Sequence, residues 1–234
     1  MSRFREKSIS LNLEGRVVPL TIRRHPRARN LILRIEPTIG PIVTVPWHTS
    51  FQEGIDLVKR KTAWLLRQLD AVPTSVPFVD GARVPLLGAE RTVRHDSESR
   101  RPVVVTETEF KVSGKVEHLA RRLTDWFRQE ARRVISERVE EKTLLLGKPY
   151  RRITIRDTRS RWGSCTEDGS LSFCWRLIML PESVLDYVVA HEVAHLKELD
   201  HSPAFWRTVA TLTADSPRAQ AWLKVHGERA FYYG

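Results

Sequence analysis

The chain has 234 residues, of which 41% are hydrophobic and 29% are charged, a composition typical of folded proteins and not of disordered ones. Its length allows one large domain or two smaller ones. No apolar stretch reaches the roughly 18 residues that a membrane-spanning helix requires. The basic N-terminal segment lacks the apolar run of a secretory signal, so we expect a cytoplasmic protein.

The formal net charge of +11 favours polyanionic partners, and contact with nucleic acid through a basic surface stays open for this reason. The basic residues are nevertheless spread among acidic ones, as on solvated helix faces, so charge alone identifies no ligand. Cys165 and Cys174 have no C-x-x-C spacing, and we expect both to be buried thiols.

Residues 1–112 are predicted to form a β-rich region that contains one helix. Short runs of Val, Ile, Leu and Thr, bounded by Gly, Pro or Asn, recur between residues 8 and 45 and between residues 77 and 112, as expected of strands. Ser50 and Glu53 have the spacing of a capping box, and apolar residues follow at helical intervals. This pattern predicts one amphipathic helix over about residues 51–70 and a domain boundary near residues 112–114.

Residues 113–234 are predicted to be mainly helical, with two strands. A long amphipathic helix over residues 115–146 is expected to end at Gly147, and strands are expected within 151–158 and 171–180. Three further helical stretches, at about 182–199, 203–213 and 217–228, complete the chain. The predicted fold class is therefore α+β.

The helix predicted from residue 182 contains the pattern His-Glu-x-x-His. It is apolar almost all the way round, which is typical of a buried helix, yet it includes His191, Glu192 and His195. Because the two histidines lie one turn apart on one face, both imidazoles can bind the same ion. Glu192 projects about 100° away, where it can accept a proton from water beside that ion. An unpartnered buried carboxylate would cost several kcal/mol, which favours a metal site.

A catalytic zinc site requires a third protein ligand and one open position, and His201 is the best candidate for that ligand. Pro203 disfavours helical geometry at Ser202, so we expect the chain to turn there and bring the His201 imidazole back toward the other two. Three acidic alternatives stay open: Glu198 on a straight continuation of the helix, Asp215 on a later helix, and Asp200 within the turn.

Three segments together resemble a known family. The sequence HEVAHLKELDHSPAFW, the motif SRWGSC at residues 160–165 and the run LSFCWRLIMLP are similar to the YgjP-like branch of the zinc metallopeptidases, a distant relative of the SprT-like proteases. The resemblance spans about residues 115–210. It implies a zincin-like metallopeptidase domain with an active-site HExxH helix, zinc ligands at His191, His195 and His201, and Glu192 as catalytic base. Cys174 stands where we expect this family to have Asn.

The leading hypothesis is a zinc-dependent hydrolase of metallopeptidase type. Arg161 and Ser164 are candidate substrate-binding residues, because a guanidinium group suits carboxylate, phosphate or oxyanion recognition. Residues 171–178 are predicted to hold an extended peptide by edge pairing. Trp162, Trp175 and Trp206 are expected to be core residues near the site and not a base-stacking platform.

Two other functions stay open at this stage. The same metal site could hydrolyse nucleoside triphosphates to release pyrophosphate, an activity associated with some YgjP-like proteins, with the basic stretch holding the nucleotide. Alternatively, the chain could be a nucleic-acid-binding module with a structural zinc ion, which the net charge and the SprT relationship favour. If the protein is an enzyme, its substrate is therefore expected to be either a polypeptide or a nucleotide.

Overall fold

The computed structural model describes residues 5–36, 39–71, 75–159 and 161–234. The chain divides into two compact units, Met1–Ser75 and Val76–Gly234. Each unit combines mixed β-sheet with helices, which confirms the α+β class. Within the described ranges, every helix is too short or too polar to cross a bilayer.

The first unit contains a four-stranded sheet and two helices. Its strands lie in the order β1-β2-β4-β3: β1 (Arg5–Leu13), β2 (Arg16–His25), β3 (Ile32–Glu36) and β4 (Gly40–Pro46). The helix predicted over 51–70 is in fact two helices that meet at Lys61, namely α1 (Phe51–Arg60) and α2 (Thr62–Ala71). The predicted capping box of Ser50 and Glu53 starts α1. Apolar side chains of both helices and of the sheet form one core.

The second unit contains two separate sheets. The first has the order β5-β6-β8-β7: β5 (Arg83–Leu86), β6 (Ala89–His95), β7 (Val103–Val105) and β8 (Glu109–Val112). The second has the order β10-β11-β9: β9 (Arg152–Arg156), β10 (Gly163–Cys165) and β11 (Ser170–Cys174). Strand β11 pairs with β10 antiparallel and with β9 parallel.

The prediction that residues 171–178 form a peptide-binding edge strand is wrong. Strand β11 is the central strand of its sheet, so its backbone groups are paired on both sides. After Cys174 the chain leaves the sheet and forms a 3-10 helix over Trp175–Met179. Strand β10 lies at an edge of this sheet instead.

Four helices complete the second unit: α3 (Leu119–Leu146), α4 (Glu182–Ala194), α5 (Pro203–Leu212) and α6 (Ser216–His226). As predicted, α3 ends at Gly147, which adopts the left-handed conformation with φ 66°. Helix α4 ends at Ala194, before the predicted end at 199. As predicted, Ser202 caps α5, since its side chain accepts a hydrogen bond from the backbone N–H of Phe205.

One hydrophobic core extends through the second unit. The ring of Phe110 in β8 lies 5.3 Å from that of Phe127 in α3, and the Phe127 ring lies 5.9 Å from that of Trp175. The sheet of β5 to β8 therefore buries its apolar face in the same core as α3 and α4. For this reason the division between the compact units, after Ser75, does not coincide with the boundary expected near 112–114.

Candidate metal centre

The first two residues of the His-Glu-x-x-His pattern lie on helix α4, which is largely buried in the core of the second unit. Nine of its thirteen residues are buried, in agreement with the apolar pattern of its sequence. His191 and Glu192 lie in its last turn, and His195 is the residue that caps its C-terminus. The backbone N–H of Glu198 bonds to the carbonyl oxygen of Ala194, so the chain turns directly after the helix.

The turn brings His201 back toward His191 and His195, as predicted. One ring nitrogen from each of the three imidazoles lies within 4.8 Å of the other two. The Nε2 atoms of His191 and His201 lie 3.1 Å apart. His191 and His195 are half-buried, whereas His201 is exposed, so the cluster opens to solvent on the His201 side.

The three acidic alternatives for the third ligand lie outside this cluster; among the described residues, the group that could hold a metal consists of the histidines alone. Glu198 contributes its backbone carbonyl oxygen, which lies 2.9 Å from His195 Nδ1. Asp200 shapes the turn, because its carboxylate accepts a hydrogen bond from the backbone N–H of Ser202. Asp215 is the residue before α6 and has a positive φ.

The chemistry of this donor set fits a zinc ion. His195 Nδ1–H donates to the Glu198 carbonyl, which leaves the Nε2 lone pair for a metal. Burial, and then the neighbouring charges of His195 and His201, lower the pKa of His191 to about 4, so its ring is neutral at pH 7, as metal binding requires. Three imidazoles around a tetrahedral zinc at about 2.1 Å have nitrogens roughly 3.4 Å apart. The His191–His201 distance of 3.1 Å is close to that value, and all three nitrogens lie within 4.8 Å of one another.

The Glu192 side chain is buried and lies against the backbone of β10. Only 7% of the residue is exposed, and burial raises the pKa of its carboxyl group to about 7, against a smaller lowering effect of Arg161. A Cβ atom at Gly163 would lie 2.5 Å from Glu192 Cγ and 2.7 Å from Oε1. The missing side chain at position 163 therefore makes the space that the carboxylate occupies, a role that the sequence pattern did not reveal.

The two candidate substrate-binding residues differ in their relation to Glu192. Arg161 is exposed, and it is close enough for its charge to act on the Glu192 carboxyl. Successive side chains of a strand alternate between faces, so Ser164 points away from the face on which Gly163 contacts Glu192. Arg161 therefore lies near the site, whereas strand alternation directs the Ser164 side chain to the opposite face. Ser160, the first residue of the SRWGSC motif, lies outside the described residues.

Cys174 holds the loop that leads into β10. Its backbone N–H donates to the Trp162 carbonyl oxygen at 2.8 Å, and its thiol donates to the Thr158 carbonyl oxygen at 3.2 Å. The Trp162 ring is stacked on Phe231, with ring centroids 4.5 Å apart. These contacts fix both ends of the segment that carries Arg161. Cys174 is a buried thiol as expected, whereas Cys165, which was also expected to be buried, is only half-buried.

Aromatic side chains surround the imidazole cluster. Phe205 is fully buried, and its ring lies 4.5–4.9 Å from all three imidazoles. Tyr187 lies one turn before His191, with the ring centroids 6.1 Å apart. Its spacing of four residues could have revealed this contact from the sequence, whereas nothing in the sequence indicated that Phe205 would touch all three rings.

The expectation that the three tryptophans near the site are core residues is only partly correct. Trp175 is 1% exposed and belongs to the core, and Trp162 is half-buried. Trp206, however, is 37% exposed, because the adjacent Phe205 occupies the inward-facing position of α5.

Taken with the fold, the three converging imidazoles and the buried carboxyl group define a candidate metallopeptidase site. The family described as YgjP-like, metallopeptidase domain, matches residues 29–226, and the chain belongs to this family. No curated protein matches the chain. Among solved structures, the crystal structure of the metallopeptidase zymogen of Pyrococcus abyssi abylysin matches with 21% identity and a TM-score of 0.36. That match covers 40% of this chain and 95% of the other.

Proposed function

We propose that this protein is a zinc-dependent metallopeptidase that hydrolyses polypeptide. The observation that carries the proposal is the convergence of His191, His195 and His201 beside the buried carboxyl group of Glu192. Membership of a metallopeptidase family supports it. When bound, zinc supplies a Lewis acid that polarises the scissile carbonyl group and makes water more acidic.

Glu192 is the general base in this proposal. Because burial raises the pKa of its carboxyl group to about 7, the group can both accept and donate a proton near neutral pH. A carboxylate oxygen of Glu192 takes the proton of the attacking water and then passes it to the leaving nitrogen. The contact with Gly163 fixes where that oxygen lies.

Strand β10 replaces residues 171–178 as the proposed peptide-binding strand. It pairs with β11 on one side, and among the described strands none pairs with its other side. Its first residue, Gly163, touches Glu192, so a polypeptide that pairs with this edge would pass close to the general base. Arg161, just before the strand, is suited to bind a carbonyl oxygen or carboxylate of that polypeptide.

The test is a side-by-side assay of the zinc-loaded protein against an unfolded polypeptide and nucleoside triphosphates. We expect cleavage of the polypeptide. Glu192→Gln should retain about one zinc per chain and lose activity by about 10²- to 10⁴-fold. Glu198→Gln is the matched control, because the contribution of Glu198 to the site is its backbone carbonyl, and its activity should remain.

Two results would overturn the proposal, and each corresponds to an alternative function. Release of pyrophosphate from nucleotides without polypeptide cleavage would identify a nucleotide hydrolase. Zinc binding without any hydrolysis, together with salt-dependent nucleic-acid binding that survives Glu192→Gln, would identify a binding module with a structural zinc.

A further inference from the structure

Trp206 is an exposed tryptophan that lies beside the imidazole cluster. The second unit has five tryptophans, all of them described, and Trp206 is the only one of the five that is exposed, at 37%. A single exposed apolar residue is common on protein surfaces and carries no meaning by itself. The location is what distinguishes Trp206, because its ring centroid lies 5.9 Å from those of His191 and His201.

Trp206 lies on the open side of the cluster. The buried ring of Phe205 contacts all three imidazoles from within the protein. Trp206 contacts His191 and His201, and His201 is the exposed imidazole. The two neighbouring aromatic residues thus form a floor and a solvent-facing wall, with their rings at 85° to each other.

The wall is held in place before any substrate binds. Trp206 lies in the first turn of α5, which begins at Pro203 and is capped by Ser202. Its backbone N–H donates to the Ser202 carbonyl oxygen at 3.2 Å. A rigid aromatic ring contributes a large apolar contact area at a small loss of conformational entropy.

We propose that Trp206 binds an apolar side chain of the substrate beside the scissile bond and so selects polypeptide segments rich in aromatic or large aliphatic residues. This inference rests on the proposed function, because it places the scissile carbonyl at the imidazole cluster. The residue next to that carbonyl then lies within reach of a ring whose centroid is 5.9 Å from His191 and His201. Such residues are buried in folded proteins, so the preferred substrate is unfolded polypeptide.

The surroundings favour an apolar side chain over a stacked nucleobase. A nucleoside triphosphate requires several cationic groups close to its phosphates. Arg161 is one such group near Glu192, yet the residues before His201 include the acids Glu198 and Asp200, which repel phosphates. The Lys197 ammonium lies 4.0 Å from the Glu198 carboxylate, which offsets its charge. The binding experiment below distinguishes stacking of a nucleobase on Trp206 from binding of an apolar side chain.

The experiment maps the bonds that the zinc-loaded protein cleaves in a reduced and alkylated protein of known sequence, by mass spectrometry. Wild type should cleave beside aromatic and large aliphatic residues. Trp206→Ala should lose this preference and raise KM about 10-fold or more while retaining its zinc, and Trp206→Phe should keep the preference. Trp64→Ala is the matched control, since Trp64 is also 37% exposed but lies in the first unit. An unchanged set of cleaved bonds in Trp206→Ala would overturn the inference.

A binding assay separates this inference from the proposed function. The Kd for the same unfolded polypeptide is measured with Glu192→Gln and with Glu192→Gln/Trp206→Ala. If wild type hydrolyses nothing, the proposed function fails, and the binding comparison still tests Trp206. Weaker binding in the double variant supports the contact with apolar side chains. Equal Kd values would overturn it. The Kd for a nucleoside triphosphate is measured with the same two variants, and a loss of nucleotide binding in the double variant without a loss of polypeptide binding would also overturn it.

Discussion

Replacing Gly163 with alanine adds one methyl group against Glu192, the proposed general base. The backbone at Gly163 lies outside the left-handed region, so alanine is compatible with its conformation. The new Cβ would lie 2.5 Å from Glu192 Cγ and 2.7 Å from Cδ and Oε1, whereas ordinary contact begins at 3.4 Å. Because the Glu192 side chain is confined in a buried position, the carboxylate must move by about 1 Å.

A displacement of about 1 Å in a catalytic group costs roughly 10²-fold in rate. We therefore expect kcat for polypeptide hydrolysis to fall about 100-fold in Gly163→Ala, with KM nearly unchanged. The same overpacking should lower the free energy of unfolding by about 1–3 kcal/mol. The zinc content should remain near one per chain, since the three atoms nearest to the added Cβ all belong to Glu192 and none to an imidazole.

The assay compares steady-state kinetics, zinc content and urea unfolding of wild type, Gly163→Ala and Ser164→Ala. Ser164→Ala is the control, because it changes the next side chain of the same strand on the opposite face and should keep wild-type kcat. If Gly163→Ala retains zinc and its kcat stays within twofold of wild type, the position of the Glu192 carboxylate does not govern the reaction.

Three further predictions concern pH, the core and the metal. In chelator-treated protein, Glu192→Gln should raise the free energy of unfolding at pH 8 by about 3 kcal/mol, and urea titrations should show no gain at pH 4. The reason is that folding raises the carboxyl pKa from 4.5 to about 7, so the cost of burying the ionised form grows between these two pH values and stays constant above them. Lys142→Ala should cost about 3–5 kcal/mol in thermal or urea unfolding, since Lys142 is only 2% exposed and its ammonium group pairs with Asp186 at 2.7 Å. A loss below about 1 kcal/mol would contradict this. In chelator competition, His201→Ala should weaken zinc binding whereas Glu198→Ala should not. If Glu198→Ala weakens zinc binding and His201→Ala does not, Glu198 is the third ligand and the assignment of His201 is wrong.

Local signals predicted the elements that build the metal centre. Gly147 ends α3 and Ser202 caps α5 because glycine tolerates a positive φ and a serine hydroxyl group satisfies a free backbone N–H. The helical repeat placed His191 and His195 on one face, and the proline at 203 indicated the turn that returns His201. Each of these inferences depends on residues close together in the chain.

Features that depend on distant residues could not be predicted in this way. Strand order is one example: the apolar run from Leu171 is equally compatible with an edge or a central strand, and only pairing with β9 and β10 decides between them. The break at Lys61 has no glycine or proline to signal it. The contact of Gly163 with Glu192 arises from packing between elements far apart in sequence, and so does the packing of Phe205 on the imidazoles, which leaves Trp206 exposed.

X-ray absorption at the zinc edge tests the central claim most directly. The protein, loaded with one equivalent of zinc, should show three imidazole nitrogens at about 2.0–2.1 Å and one exchangeable oxygen ligand from water. Glu192→Gln should give the same three nitrogens, because its carboxyl group lies against Gly163 and outside the imidazole cluster. A spectrum with fewer than three imidazoles, or with a carboxylate lost in Glu192→Gln, would contradict the account.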